Sequence, residues 1–144
     1  MSEEIVLDPD RLLPANPSTR EIARGLFERV KRLPILSPHG HVDPGMLRRN
    51  EPFGNATTLL VAKDHYVTRL LHANGEPLDR LLIGDDADDA LARNAWRRFC
   101  ALWDVFDGTA SGYWLESELR DVLGVGVRPT AENADVLFDS IGEM

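Results

Sequence analysis

Apolar positions along the chain fall into several helical stripes and one short extended run. Ile22, Leu26, Phe27 and Val30 recur at helical spacing, with Arg20, Arg24 and Arg29 on the opposite side. They predict a helix from Ser18 to about Arg32, buried along that stripe, with Ser18 and Glu21 spaced as a capping box. The run Leu33-Pro34-Ile35-Leu36-Ser37-Pro38 reads as a strand over 33–38. Residues 43–63 read as loop and short turns, punctuated by Pro44, Gly45, Pro52 and Gly54. Asp64 is a good N-cap and Asn74-Gly75 a good stop, which frames a second helix. Leu91, Ala95, Phe99, Leu102 and Phe106 mark a third over roughly 87–106. A fourth covers 111–123, with Leu115, Leu119 and Val122 inward and Gly124 as its stop. A fifth begins after Thr130 and carries Ala134, Leu137, Phe138 and Ile141. Residues 1–17, broken by Pro9, Pro14 and Pro17, read as an irregular lead-in.

The fold class expected is therefore mainly α, with about five helices and one confident strand. A lone strand leaves its backbone groups unpaired, so this run either pairs with something outside these residues or is an extended loop. The pattern thus reads as the front of a larger protein, a single incomplete domain. Residues 1–45 would hold the lead-in, first helix and first strand; residues 46–144 would hold a loop and the remaining helices.

Composition changes this picture little. The 144 residues are 43% hydrophobic and 28% charged, as in ordinary globular proteins. Sixteen basic against 24 acidic residues leave a formal charge of −8, which argues against a nucleic-acid partner. No apolar run is long enough to span a membrane. The start, Met1-Ser2-Glu3-Glu4, has no secretory character, and Cys100 stands alone, so a reducing cytoplasm is the expected location.

Candidate chemistry concentrates in two places. His39-Gly40-His41 follows the predicted strand. Residues i and i+2 of a strand share a side, so two imidazoles there can hold one metal ion. Asp43 could orient a liganding histidine through a hydrogen bond, although a turn before Pro44 is its simpler role. The second place is Asp64-His65-Tyr66-x-x-Arg69. His65, Tyr66 and Arg69 share one helix surface, whereas Val67, Leu70 and Leu71 lie on the other. An arginine can clasp a carboxylate at two points, and a tyrosine beside a cation can exchange a proton. Arg48 and Arg49 could meet an anion more weakly. His72 reads as a surface or packed histidine, Cys100 as inert, and Trp96, Trp103 and Trp114 as core or interface anchors.

The segments Pro34–His41, Asp64-His65-Tyr66 and Ser111-Gly112-x-Trp114-Leu115 together resemble the amino-terminal third of uronate (glucuronate) isomerases. Asp10-Arg11-Leu12-Leu13-Pro14 and Asn94-Ala95-Trp96 fit as well, in order and spacing. The His-x-His is shared more widely across the amidohydrolase superfamily. The resemblance implies a metal-dependent (β/α)8 barrel with a helical insertion after strand 1, interconverting aldo- and keto-hexuronates such as glucuronate and fructuronate. It implies a divalent metal, zinc above all, held by His39 and His41, with Tyr66 in proton transfer or substrate polarisation and His65 beside the substrate.

A full barrel needs about 250 residues. Two histidines fall one short of the three protein ligands usual in catalytic zinc sites, so the chain alone is expected to be incompletely ligated and inactive. A metal-dependent hydrolase on the same scaffold and a non-catalytic helical interaction module are the alternatives. The preferred uronate, the metal and homo-oligomerisation stay open.

Overall fold

The structure is a computed structural model that describes residues 3–37, 40, 44–50, 52–84 and 87–144. The chain divides into two units, residues 6–40 on the one hand, and residues 1–5 with 41–144 on the other.

In the smaller unit, α1 spans Pro17–Val30. Its N-cap is Asn16 rather than Ser18: the Asn16 side chain accepts the Thr19 N–H at 3.1 Å and the Ser18 hydroxyl at 2.7 Å. Pro17 follows at the first helical position, where its missing N–H costs nothing. Arg24 pairs with Asp10, and Arg20 Nε donates to the Pro14 carbonyl at 2.9 Å, which folds the lead-in onto the helix start.

The expected burial of the α1 stripe is not found. Ile22, Leu26, Phe27 and Val30 are each between 53% and 66% exposed, and no residue of α1 is buried. An amphipathic pattern states what a helix needs, and the described residues of 6–40 contain no second element to supply it. The strand over 33–38 is likewise absent among the described residues. Residues 34–37 carry no regular structure, and Ile35 is 90% exposed. An extended run becomes a strand only when another strand takes up its N–H and C=O groups.

The larger unit begins with α2 (Pro44–Arg49), α3 (Ala56–Leu60) and α4 (His65–Ala73). It continues with α5 (Asp89–Ala101), α6 (Ala110–Ser117) and α7 (Ala134–Gly142). Helices α2 and α3 replace the loop expected over 43–63. At six and five residues they are too short for a periodic signal, although Asn55 caps α3 by accepting the Thr58 N–H at 3.0 Å. The long helix expected over 87–106 is α5 followed by a 3₁₀ turn, Trp103–Phe106. Asp88 caps it, accepting the Leu91 N–H at 2.8 Å.

Helix α5 packs against α3 and α7, which also meet each other. Its buried stripe is Ala92, Ala95, Trp96, Phe99 and Cys100. Leu91, expected inward, lies one position off that stripe and is exposed. From Trp96 an aromatic chain runs on through Phe99 at 5.0 Å, with Trp103 and Phe106 each 5.5 Å from Phe99. Trp96 donates Nε1–H to the Ala134 carbonyl at 2.8 Å, so its one polar group is satisfied in the core. Ala134, Leu137, Phe138 and Ile141 of α7 are buried as expected.

The 3₁₀ turn Trp103–Phe106 packs against both α4 and α6. Thr109 caps α6 by accepting the Gly112 N–H at 3.0 Å. A π-helical turn, Glu118–Val122, then changes the phase of the stripe. Leu119 and Leu123 are buried and Val122, expected inward, is turned out. Glu4 and Val127 form an antiparallel bridge, flanked by Ile5 N–H to the Gly126 carbonyl at 2.9 Å and Arg128 N–H to the Glu3 carbonyl at 2.7 Å. No helix among the described residues is long and apolar enough to cross a membrane.

Candidate functional site

Helix α4 presents a polar cluster at its first turn and a half. Asp64 starts the helix as expected, its carboxylate accepting the N–H of Tyr66 at 2.7 Å and of Val67 at 3.4 Å. Val67 and Leu71 turn into the core and anchor the helix. His65, Tyr66 and Arg69 are left on the other side.

The rings of His65 and Tyr66 lie 4.2 Å apart with their planes 34° from each other. The Arg69 guanidinium carbon sits 4.8 Å from the centre of the Tyr66 ring, a cation–π contact. Trp114 reaches in from α6 and meets Tyr66 edge-on, 5.8 Å between centroids at 76°. His65 and Arg69 are exposed and Tyr66 is half-buried. The group therefore faces water on one side and is backed by aromatic surface on the other. It joins a phenol, an imidazole and a fixed positive charge at the N-terminal end of a helix, where the backbone dipole also favours negative charge. Such a grouping can hold an anionic oxygen and exchange a proton with it.

Trp114 was expected to be a core or interface anchor. It is 49% exposed, and its edge contact makes it part of the cluster. The signal in the sequence is its position beside, rather than on, the buried face formed by Ser111, Gly112 and Leu115. Arg48 is exposed in the last turn of α2, on a different helix from the cluster. His72 is exposed, with Nδ1 2.8 Å from the Glu76 carbonyl oxygen, which is the surface role expected of it. Burial pushes the Cys100 thiol pKa far up, consistent with an inert side chain.

His39, His41 and Asp43 lie outside the described residues. Among the described residues no group of three His, Cys, Asp or Glu side chains is placed to hold a metal ion. Two neutral imidazoles suit a borderline divalent cation, but they make an incomplete set for a catalytic one.

The family model described as glucuronate isomerase matches residues 15–144. The chain belongs to that family. Among its relatives, the uronate isomerase of Corynebacterium efficiens is 48% identical over 145 residues, covering 100% of this chain and 31% of the relative. The crystal structure of glucuronate isomerase from Caulobacter crescentus superposes with a TM-score of 0.85 at 42% identity, over 98% of this chain and 30% of that one. The uronate isomerase structure from Thermotoga maritima, 24% identical, shows the same fold at a TM-score of 0.75, over 96% of this chain and 28% of that one. This glucuronate isomerase family member thus spans about a third of the length of the curated relatives it matches, 31% in the first case. Its helices are the arrangement those longer proteins share with it.

Proposed function

We propose that the chain is the amino-terminal part of a metal-dependent uronate isomerase that interconverts aldo- and keto-hexuronates of the glucuronate/fructuronate type. The observation that carries the reading is the packed cluster of His65, Tyr66 and Arg69 on α4, in a chain of this family. The reaction takes the proton from C2 of the aldose to give an enediol and returns a proton at C1, leaving the carbonyl at C2. It needs one group that moves a proton and positive charge beside the oxygen that gains electrons.

Tyr66 is assigned the proton transfer, with His65 beside the substrate to exchange a proton with its hydroxyl oxygens. Arg69, and more weakly Arg48, are assigned to the substrate carboxylate, for which a guanidinium offers a two-point fork. His39 and His41, oriented by Asp43, are assigned as two ligands of a divalent metal, zinc by donor type, which when bound supplies positive charge at the substrate oxygens. The third ligand and the (β/α)8 barrel that would frame the site belong to the remaining two-thirds of such an enzyme. The 144-residue chain alone is therefore proposed to be inactive, and a cytoplasmic location accompanies the reading.

Joining this chain to the remaining two-thirds of a 48%-identical relative tests the assignment. The full-length chimera should isomerise glucuronate and the isolated chain should not. Turnover by the isolated chain, or a folded, metal-loaded chimera that hydrolyses esters or amides instead, overturns it.

A further inference from the structure

We propose that Trp114 is a positioning residue for the isomerisation, fixing the Tyr66 ring in the orientation from which it serves the substrate. The proposal rests on the reading of Tyr66 as the proton carrier.

Three of the contacts on the Tyr66 ring come from His65, Arg69 and Trp114. His65 and Arg69 belong to the same helix as Tyr66, so they move with it and cannot set its place in the larger unit. Trp114 comes from α6 and meets the ring edge-on at 76°, the geometry in which the positive edge of one ring meets the negative face of another. A contact from a second helix limits rotation of the tyrosine side chain relative to the body of the protein.

The two helices are held at a set separation. Both α4 and α6 pack on the 3₁₀ turn Trp103–Phe106, a shared platform made rigid by the buried Trp103 and Phe106 rings. On the α6 side the approach is backbone to backbone. A Cβ added to Gly112 would lie inside the contact distance of the Phe106 carbonyl oxygen and 3.1 Å from its carbon. Thr109 reinforces the junction, its hydroxyl donating to the same Phe106 carbonyl at 2.7 Å while accepting the Gly112 N–H at 3.0 Å. Trp114 follows two residues later, so its ring is carried to Tyr66 just beyond this close junction.

Core packing does not explain the residue. Trp114 is 49% exposed, whereas Trp96 and Trp103 are buried. A large aromatic half in water, edge-on to a candidate proton carrier, fits a role in placement. Proton transfer is sensitive to placement: a misplacement of about 1 Å can cost about a hundredfold in rate.

The test uses a full-length isomerase carrying this segment, with glucuronate as substrate. Trp114→Ala should lower kcat by about tenfold or more while KM and the melting temperature stay near wild type. Trp114→Phe, which keeps an aromatic edge, should recover most of the loss. Trp114→Leu, which keeps bulk without the ring, should not, and it serves in place of Ala should the smaller side chain disturb folding. In a Tyr66→Phe background, Trp114→Ala should cause little further loss, because two groups acting as one unit are not additive.

A raised KM at unchanged kcat would make Trp114 a substrate contact and overturn the proposal. So would an unchanged kcat, or an equal loss with and without the Tyr66 hydroxyl. Tyr66→Phe at full kcat would instead remove the assignment of Tyr66 itself, a result readable without any Trp114 variant.

Discussion

The Asp64 carboxylate accepts the backbone N–H of Tyr66 at 2.7 Å, so the residue that starts α4 also fixes the main chain of the candidate proton carrier. The acid of the Asp-His-Tyr motif thus has a structural duty as the cap of its own helix. Replacing it separates the two roles. Asp64→Ala should destabilise the chain by about 1 kcal/mol, the usual worth of an N-cap, measured by urea denaturation. Asp64→Asn should retain most of that stability, since an amide oxygen can accept the same N–H. A full loss in the Asn variant would mean that the charge, not the cap, is what matters.

Arg69 stands over the Tyr66 ring and is exposed on its outer side. In the full-length enzyme, Arg69→Ala should lower kcat/KM by about ten- to a hundredfold, the range for losing a hydrogen bond to a charged group. Arg69→Lys keeps the charge but not the planar fork, and should recover only part. Complete rescue by lysine would argue against two-point binding of a carboxylate.

Gly112 and Gly25 make a matched pair. A methyl group on Gly112 would strike the Phe106 carbonyl, whereas one on Gly25 in α1 meets nothing within 4 Å. Gly112→Ala should cost about 1–3 kcal/mol by overpacking, read from thermal or urea unfolding. Gly25→Ala should be neutral or stabilising by up to about 1 kcal/mol, since alanine favours a helix interior. Equal effects at the two positions would contradict the close approach of α6 to the turn before it.

Arg97 donates Nε–H and Nη2–H to the two Asp135 carboxylate oxygens at 2.8 and 2.9 Å, tying α5 to α7. That hydrogen bonding holds the Asp135 pKa below the ordinary carboxylate value, against a smaller opposing effect of desolvation. A depressed folded-state pKa means that the pair stabilises the fold above about pH 3.9, the unfolded value, and that this is lost as pH falls through the folded value. Asp135→Asn should flatten the stability profile below about pH 4 relative to wild type. Because the pair is exposed, added salt should shrink the difference. A variant whose acid limb is unchanged would show that the pair contributes nothing.

No residue of α1 is buried, whereas α5 buries five. Amide hydrogens of α1 should therefore exchange much faster than those of Ala95 to Cys100, as expected where few apolar contacts resist opening. Protection of α1 equal to that of α5 in the isolated chain would show that something covers its stripe.

Much of the larger unit was legible because its signals are local. Asp64 and Asn74-Gly75 bound α4 through a side-chain cap and a glycine at φ +100°, both chemistry of single residues. Ala134, Leu137, Phe138 and Ile141 follow α-helical spacing without interruption, and all four are buried. Legibility failed where the period changed or the partner lay elsewhere. The π turn at Glu118–Val122 rotates Val122 out of a stripe that regular periodicity extends through it. Ile22, Leu26, Phe27 and Val30 have the right spacing for burial, but spacing does not supply a surface to bury against.

The candidate cluster was legible in part. Helical neighbour rules grouped His65, Tyr66 and Arg69, because i, i+3 and i, i+4 pairs depend on no other element. Trp114 lies 48 positions beyond Tyr66 in the chain, and its approach depends on how α4 and α6 share the turn Trp103–Phe106. No local pattern encodes that meeting.

The bridge between Glu4 and Val127 has a consequence for how the protein is made. During synthesis the first five residues leave the ribosome long before the helices they belong with. They must wait, joined to α1 and its lead-in, until residue 128 has emerged. The bridge can form only then, with α7 still to follow. Bringing the ends of a flexible stretch together costs entropy that grows only slowly with its length, so the delay is one of order rather than of energy. These amino-terminal residues are made early and dock only after α2 to α6 have been made.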